Sequence, residues 1–239
     1  MSTFDLAIAI TAVAAGAVAA VAGFGVGSLL TPLLTAPYGA KVAVALVAIP
    51  HAIATFIRLW RLRDSISWPV LKSFGVSSAA GGLIGAYVFA QSGGDLLARV
   101  LGVLLVFVGM AELAGVAQRL RFRGAGAWVA GGISGIFGGM VGNQGGIRSA
   151  GLLAFDLAPR AFVTTAAAIA LIVDLVRLPV YVATTGDEMV RAARVIAIAT
   201  AGVVVGTFAG SSLLLRLPAR TFRRVIGAVL LALGLWLLT

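Results

Sequence analysis

Apolar residues in this chain run in long, nearly unbroken blocks. Pro, Gly and polar breaks set the blocks at 4–36, 39–60, 68–90, 96–117, 124–157, 160–184, 189–215 and 221–238. A straight helix needs about 20 apolar residues to cross the hydrocarbon core of a bilayer. Six of the blocks therefore predict one membrane helix each. The blocks 4–36 and 124–157 are too long for a single span. Each is cut by a glycine cluster, Gly23-Phe24-Gly25-Val26-Gly27 in one and Gly142-Asn143-Gln144-Gly145-Gly146 in the other. Such clusters weaken a helix and permit close backbone approach, so both blocks are expected to be broken.

The two broken blocks are also related to each other. A shift of 119 residues lays Gly16 on Gly135, Gly23 on Gly142, Gly27 on Gly146, Lys41 on Arg160 and Arg58 on Arg177. With small gaps, Gly81 and Gly85 fall on Gly202 and Gly206, and Arg99 on Arg224. Gly and Leu match easily by chance in such a composition, but an arginine pair inside apolar blocks does not. The pattern predicts a duplication: a first repeat over 1–118, a basic linker at 119–123 and a second repeat over 124–239.

Composition narrows the class. Hydrophobic residues make up 61% and charged residues 11% of 239, with mean hydropathy +1.10. Soluble domains run near 45–50% and 25%, so a soluble enzyme and a disordered chain are both excluded. The N-terminus lacks the basic start of a signal peptide, and the first apolar block is expected to stay in the membrane. The absence of Cys and a single His leave no disulfide and no thiolate or histidine metal cluster, and no cofactor is expected.

The net charge of +10 is read as topology rather than as a nucleic-acid footprint. Arg61 and Arg63 mark one cytoplasmic loop, and Arg119, Arg121 and Arg123 mark the linker as another. The 91–95 loop has no basic residue. In the second half, the predicted 184–189 loop carries Asp187 and Glu188, whereas 216–224 carries Arg216, Arg220, Arg223 and Arg224. Eight plain crossings would place that most basic loop outside. If blocks 4–36 and 124–157 each enter and return without a net crossing, the conflict disappears and the repeats are inverted. The expected fold is all-α and polytopic, with two inverted repeats. Each has one broken segment and three transmembrane helices, a transporter signature.

The strongest polar constellation runs from Gly142 to Ser149. An unwound break exposes backbone N–H groups, and the half-helix after it points its positive end at the break. Asn143 and Gln144 offer amides, Gly145 and Gly146 offer backbone, and Arg148 offers a planar cationic fork suited to oxyanions. An arginine at membrane depth calls for a partner or an anion, and the competing reading is a helix clamp with Asp174. The first-half break is less polar, with Leu29 where Arg148 stands. Gly25, Gly27 and Ser28 either present donors to the same cavity or only support packing. Asp174 and Arg177, three apart on one face, make an ion pair easy, and Asp174 could instead carry a coupling proton. Arg58 has Thr55 where Asp174 would be and could snorkel to the cytoplasmic side. His51, after Pro50, either relays protons or packs by bonding a carbonyl.

One enzyme reading is open to residues of this kind. Gly132-Ile133-Ser134-Gly135 has the form of an intramembrane serine-protease motif with His51 as base. The motif is short in a chain of 31 Gly, the His precedes the Ser, and Ala15 is the repeat mate of Ser134. The chain is therefore expected not to be an enzyme. The ATP-binding signature is also absent.

The duplicated broken segments, with the run Gly142 to Leu153 and the run Asp174-Leu175-Val176-Arg177-Leu178-Pro179-Val180-Tyr181, resemble the TauE/SafE family of sulfite and organosulfur anion exporters across essentially the whole chain. Two departures stand out: Gly151 where the pattern ends near a proline, as Pro32 does in half one, and Asn143-Gln144 in place of plain glycines. The resemblance implies a multi-pass permease of the bacterial inner membrane, exporting sulfite or a sulfonate. The residues themselves support only an anion, through Arg148, the amide donors and the half-helix end; the expected mechanism is alternating access with the anion between the breaks, the alternatives being a static anion channel or a permease for a different small anion. The other partners expected are the lipid bilayer and, from the glycine-rich faces, a second copy in a homodimer; nucleic acid is not.

Overall fold

The computed structural model of the protein describes residues 2–115, 125–214 and 219–239. The basic linker with Arg119, Arg121 and Arg123, and Arg216 of the last basic loop, lie outside the described residues. Every described element is helical. Five helices are long and apolar enough to cross a membrane: Thr3–Ala22, Val26–Ser65, Trp68–Gln91, Gly94–Ala114 and Pro159–Arg191. Ala125–Val141 and Ala193–Ala209 are shorter apolar stretches.

Helix α1 (Thr3–Ala22) opens on a capping box. Ser2 Oγ accepts from the Asp5 amide, and Asp5 accepts in return from the Ser2 amide at 2.7 Å, so two orphan donors are satisfied at once. Asp5 also pairs with Arg194 at 2.7 Å. The helix ends at Gly23, whose φ of +77° is the left-handed conformation that favours glycine. After Gly25, α2 (Val26–Leu62) runs on, with a non-helical kink at Gly39. The predicted gap between 36 and 39 is this kink. A short turn then leads to α3 (Trp68–Val70), which continues through a π turn into α4 (Val76–Gln91). Helix α5 (Gly94–Ala114) completes the first half.

The second half repeats the order. Helix α6 (Ala125–Val141) ends at Gly142, again left-handed with φ +71°, and α7 (Gly145–Leu152) starts three residues on. The breaks fall at matched positions: Gly142 is the 119-residue mate of Gly23, and Gln144, before α7, is the mate of Gly25, before α2. Helix α7 doubles back along α6. Gly138 lies against the Gln144 side chain at the turn, and Gly151, further on, lies near Ala130 at the earlier end of α6. Helices α8 (Pro159–Arg191), α9 (Ala193–Leu214) and α10 (Ala219–Leu238) follow.

One boundary differs from expectation. The stretch 184–189 is helix, not loop: α8 continues to Arg191 with only Thr185 out of helical conformation. Asp187 and Glu188 break the hydropathy of the chain without breaking its hydrogen bonding. The Ala192 amide still bonds the Glu188 carbonyl. Polar residues end an apolar block, but Glu, Met and Arg are good helix formers.

Packing is reciprocal between the halves. Helix α1 packs on α9 and α4 on α6; α5 packs on α10 and α2 on α8; α2 also meets α9, as α8 meets α4. Exchanging the halves leaves this set of partners unchanged. Small residues make the contacts close, as expected where helices associate without a hydrophobic driving force. A Cβ at Gly85 would strike the Ile136 carbonyl, and one at Gly206 the Val13 carbonyl. The stripes Gly81/Gly85 and Gly202/Gly206 thus meet helices of the same chain, so they offer no face to a second copy. Apolar side chains such as Ile10, Tyr87, Phe107 and Leu175 cover the outside.

Candidate functional site

The two breaks meet in the interior. A Cβ on Gly27 would run into the Gly142 carbonyl, and one on Gly145 into Phe24, so only glycine lets the crossed backbones come this close. Ser28 Oγ donates to Asn143 Oδ1 at 3.1 Å, a buried bond between the halves. Arg148, on the first turns of α7, donates from Nη2 to the Gly23 carbonyl at 3.1 Å. The charged residue of one break therefore caps the C-terminal end of the helix leading to the other.

Arg148 is 2% exposed, and the clamp with Asp174 is not formed. Among the described residues its Nε and Nη1 have no hydrogen-bond partner, and neither does Asn143 Nδ2 or Arg58 Nε. Asp174 is occupied elsewhere. Its Oδ1 accepts from Arg177 Nε at 2.9 Å and lies 2.8 Å from Arg177 Nη2. Its Oδ2 lies 2.7 Å from His51 Nδ1. His51 therefore bonds a carboxylate rather than the carbonyl that packing alone suggested. Asp174 lies on α8 and His51 on α2, so this contact also joins the halves.

Arg58 departs from expectation. It does not snorkel: it is buried, donates from Nη1 to the Ala19 carbonyl and from Nη2 to Thr55 Oγ1 at 3.1 Å. The end of α1 supplies a backbone acceptor inside the protein, the Ala19 carbonyl, which takes the guanidinium as a second donor beside the Gly23 amide. Arg58 with Thr55 copies the spacing of Arg177 with Asp174, but with a hydroxyl where the carboxylate stands. Three buried arginines thus share one buried carboxylate. With His51 neutral, the cluster carries two positive charges in excess. Such an excess inside a membrane protein is costly unless an anion meets it.

Tyr181 belongs to the cluster, although the sequence reading gave it no role. Its hydroxyl donates to the Gly139 carbonyl at 2.7 Å and lies 3.4 Å from Arg177 Nη1, which also donates to the Gly138 carbonyl at 3.1 Å. Arg177 and Tyr181 thereby hold the last turn of α6, just before the break. The signal was the four-residue spacing from Arg177, which places both on one face. Repeat symmetry hid it, since the mate of Tyr181 is Leu62.

Gln144 packs its amide against Gly138, with Oε1 unpartnered. Ser134 spends its hydroxyl on the Gln144 carbonyl at 3.3 Å and His51 bonds Asp174, so no Ser–His dyad forms among the described residues. A cavity of about 500 Å³ between α5, α6 and α7 is lined mostly by apolar groups such as Phe107, Val129, Ile133 and Ile147, with Glu112 and the candidate Gly146 also on its wall. It contains none of the cluster's arginines or amides.

These features, a buried cationic cluster at two crossed helix breaks in a duplicated membrane fold, agree with the comparison by sequence. The family model described as sulfite exporter TauE/SafE matches residues 8–237. The chain belongs to the TauE/SafE sulfite exporter family. Membership makes it a multi-pass membrane transporter of sulfur anions, in a family of transporters rather than enzymes. No curated protein and no solved structure matched. Within this TauE/SafE chain, the two glycine-cut segments and the Asp174–Tyr181 run that carry the resemblance are the ones that meet at the cluster.

Proposed function

We propose that the protein binds a small sulfur oxyanion, sulfite or a sulfonate, between the two glycine-rich breaks and carries it outward by alternating access. Arg148 is the principal anchor. Its unpartnered Nε and Nη1 are the observation that carries the reading. They are donors of fixed charge in a fork that fits an oxyanion, and no protein acceptor competes for them. Asn143 Nδ2 and the first amides of α7 add donors. Gly145 and Gly146 at the start of α7, with Gly25 and Gly27 at the start of α2, let the two breaks pack closely around the anion, since a Cβ there would strike Phe24, Val108, Val18 or the Gly142 carbonyl. Arg58 contributes charge, and Asp174 with Arg177 holds the surrounding backbone.

The halves, 1–118 and 124–239, are inverted repeats in this reading, with α6–α7 and α1 with the start of α2 as re-entrant breaks. Support comes from the doubling back of α7 along α6 and from the reciprocal packing of the halves. The membrane is taken to be the bacterial inner membrane. Movement of one set of helices against the other would open the shared site to each side in turn.

The test is sulfite binding to the purified chain, followed by counterflow in liposomes. Wild type should bind saturably, Arg148→Ala should be folded but should not bind, and labelled anion should accumulate against unlabelled anion. An unchanged affinity in Arg148→Ala removes Arg148 from the site, and ohmic flux without counterflow makes the protein a channel.

A further inference from the structure

We propose that the protein couples each anion to a proton, and that the proton-binding atom is Nε2 of His51. The proposal rests on the anion site just described and adds a second substrate to it.

The chemistry begins with Asp174. Both of its oxygens are engaged, Oδ1 by Arg177 and Oδ2 by His51 Nδ1 at 2.7 Å. A carboxylate held by an arginine is an acceptor only, so His51 Nδ1 must be the donor. Neutral imidazole has one N–H, and its other nitrogen is then a base. That nitrogen, Nε2, hydrogen-bonds no protein group among the described residues, and the His51 side chain keeps 9% of its surface exposed. His51 thus presents a fixed, open lone pair inside a membrane protein, next to the charged cluster.

The charges acting on His51 are Asp174 and Arg177 from α8 and Arg58 from its own helix. Arg148 of α7 joins them by acting on the same cluster, alongside Arg58 and Asp174. With the anion absent, a proton on His51 raises an existing positive excess. With an anion bound, the excess falls by the anion's charge, by two for a dianion and by one for a sulfonate, and the proton is accommodated. The imidazole gains a proton from water at Nε2, no other bond changes, and the proton is returned to water when the anion leaves. Binding of the two is mutually reinforcing, and by linkage the effect is reciprocal. The His51–Asp174 bond also spans α2 and α8, so the proton is bound where the two halves meet.

The experiment is titration calorimetry of the full-length purified chain. Sulfite and ethanesulfonate are each titrated in two buffers of different ionisation enthalpy between pH 6.5 and 8. Ethanesulfonate stays fully ionised, so any proton it takes up belongs to the protein. Wild type should take up a proton on binding ethanesulfonate, approaching roughly one per anion as the pH rises above that at which free His51 titrates, and with sulfite the same uptake should remain after the anion's own proton is counted. Ethanesulfonate affinity should fall with rising pH. His51→Gln, which keeps a donor toward Asp174 but no titratable base, should still bind, with proton uptake and pH dependence both gone. Zero uptake by wild type, or equal uptake by His51→Gln, overturns the coupling while leaving the anion site standing. If wild type binds neither anion, the site itself falls, and this proposal with it. Should His51→Gln fail to fold, the wild-type proton count with ethanesulfonate decides alone.

Discussion

Ser28 and Asn143, 115 residues apart in the chain, join the two helix breaks through a 3.1 Å bond from the serine hydroxyl to the amide oxygen. The bond fixes which end of the Asn143 amide is free. With Oδ1 engaged, Nδ2 is left as an unpartnered donor. Ser28→Ala should therefore weaken sulfite binding without removing any contact to the anion, because the amide is no longer oriented. A net hydrogen bond of about 1 kcal/mol corresponds to a several-fold loss of affinity. Asn143→Asp should be far worse, since it keeps an acceptor for Ser28 but sets a carboxylate where the anion binds. Calorimetric affinities of the two variants check this; equal small losses would place Asn143 outside the site.

Arg148 and Arg177 are both buried arginines, yet their removal should change stability in opposite directions. Arg177 compensates Asp174, and removing one partner of a buried pair typically costs about 3–5 kcal/mol because the other charge is stranded. Arg148 bonds no carboxylate among the described residues: its one hydrogen bond is to a backbone carbonyl. Arg148→Leu, which installs the residue found at the repeat-related position 29, should raise the melting temperature of the anion-free protein while abolishing binding. Arg177→Leu should lower it. Added sulfite should stabilise wild type but not Arg148→Leu. A drop in melting temperature for both variants would mean that Arg148 is a structural clamp.

Gly27 should tolerate no side chain. Its Cβ position lies against the Gly142 carbonyl, and that carbonyl belongs to backbone fixed by Arg177 and Tyr181 on the preceding turn. Gly27→Ala must push the two breaks apart, and anion binding should be lost together with some stability. Gly93→Ala is the control, since nothing lies within contact distance of a Cβ there. Thermal melts and sulfite binding on the pair separate a local effect at the crossing from a general intolerance of alanine.

Why some of this was legible in the sequence and some was not follows from what each signal encodes. Hydropathy marks where a segment can be buried, and repeat matching marks which glycines correspond. Together they placed both breaks to within a residue or two, and pointed to Arg148, Asn143, Asp174 and Arg177 as the polar interior. Hydropathy does not report backbone hydrogen bonding, so the expected helix stopped at 184, beside the kink at Thr185, while α8 runs on to Arg191. Nor does it report what a helix terminus from elsewhere in the fold offers. Arg58 looked peripheral by its position in the block, and the Ala19 carbonyl at the end of α1, with Thr55 on its own helix, explains its burial. Tyr181 was hidden because its repeat mate is a leucine. Partner choice was the least legible feature of all. Spacing alone allowed Asp174 to serve Arg148 or Arg177, and His51 came to it from 123 residues away.

The positive excess of the cluster can be tuned without deleting any arginine. Thr55 stands to Arg58 as Asp174 stands to Arg177, three residues earlier on the same face, and already accepts a hydrogen bond from it at 3.1 Å. Thr55→Asp should therefore form a second buried Asp–Arg pair by the geometry the other half uses. It would bring the excess from two charges to one while leaving Arg148 and Asn143 in place. At an effective dielectric constant near 20, one charge several ångströms away is worth on the order of 1–3 kcal/mol, so sulfite affinity should fall by roughly 10- to 100-fold. The anion-free protein should become more stable, because a buried charge gains its counter-ion. Singly charged ethanesulfonate should lose less affinity than doubly charged sulfite at the same pH, since the Coulomb interaction scales with ligand charge. Melting temperature and the two affinities, measured on one variant, therefore report the charge balance directly. An affinity unchanged for both anions would mean that Arg58 lies too far from the anion to act on it.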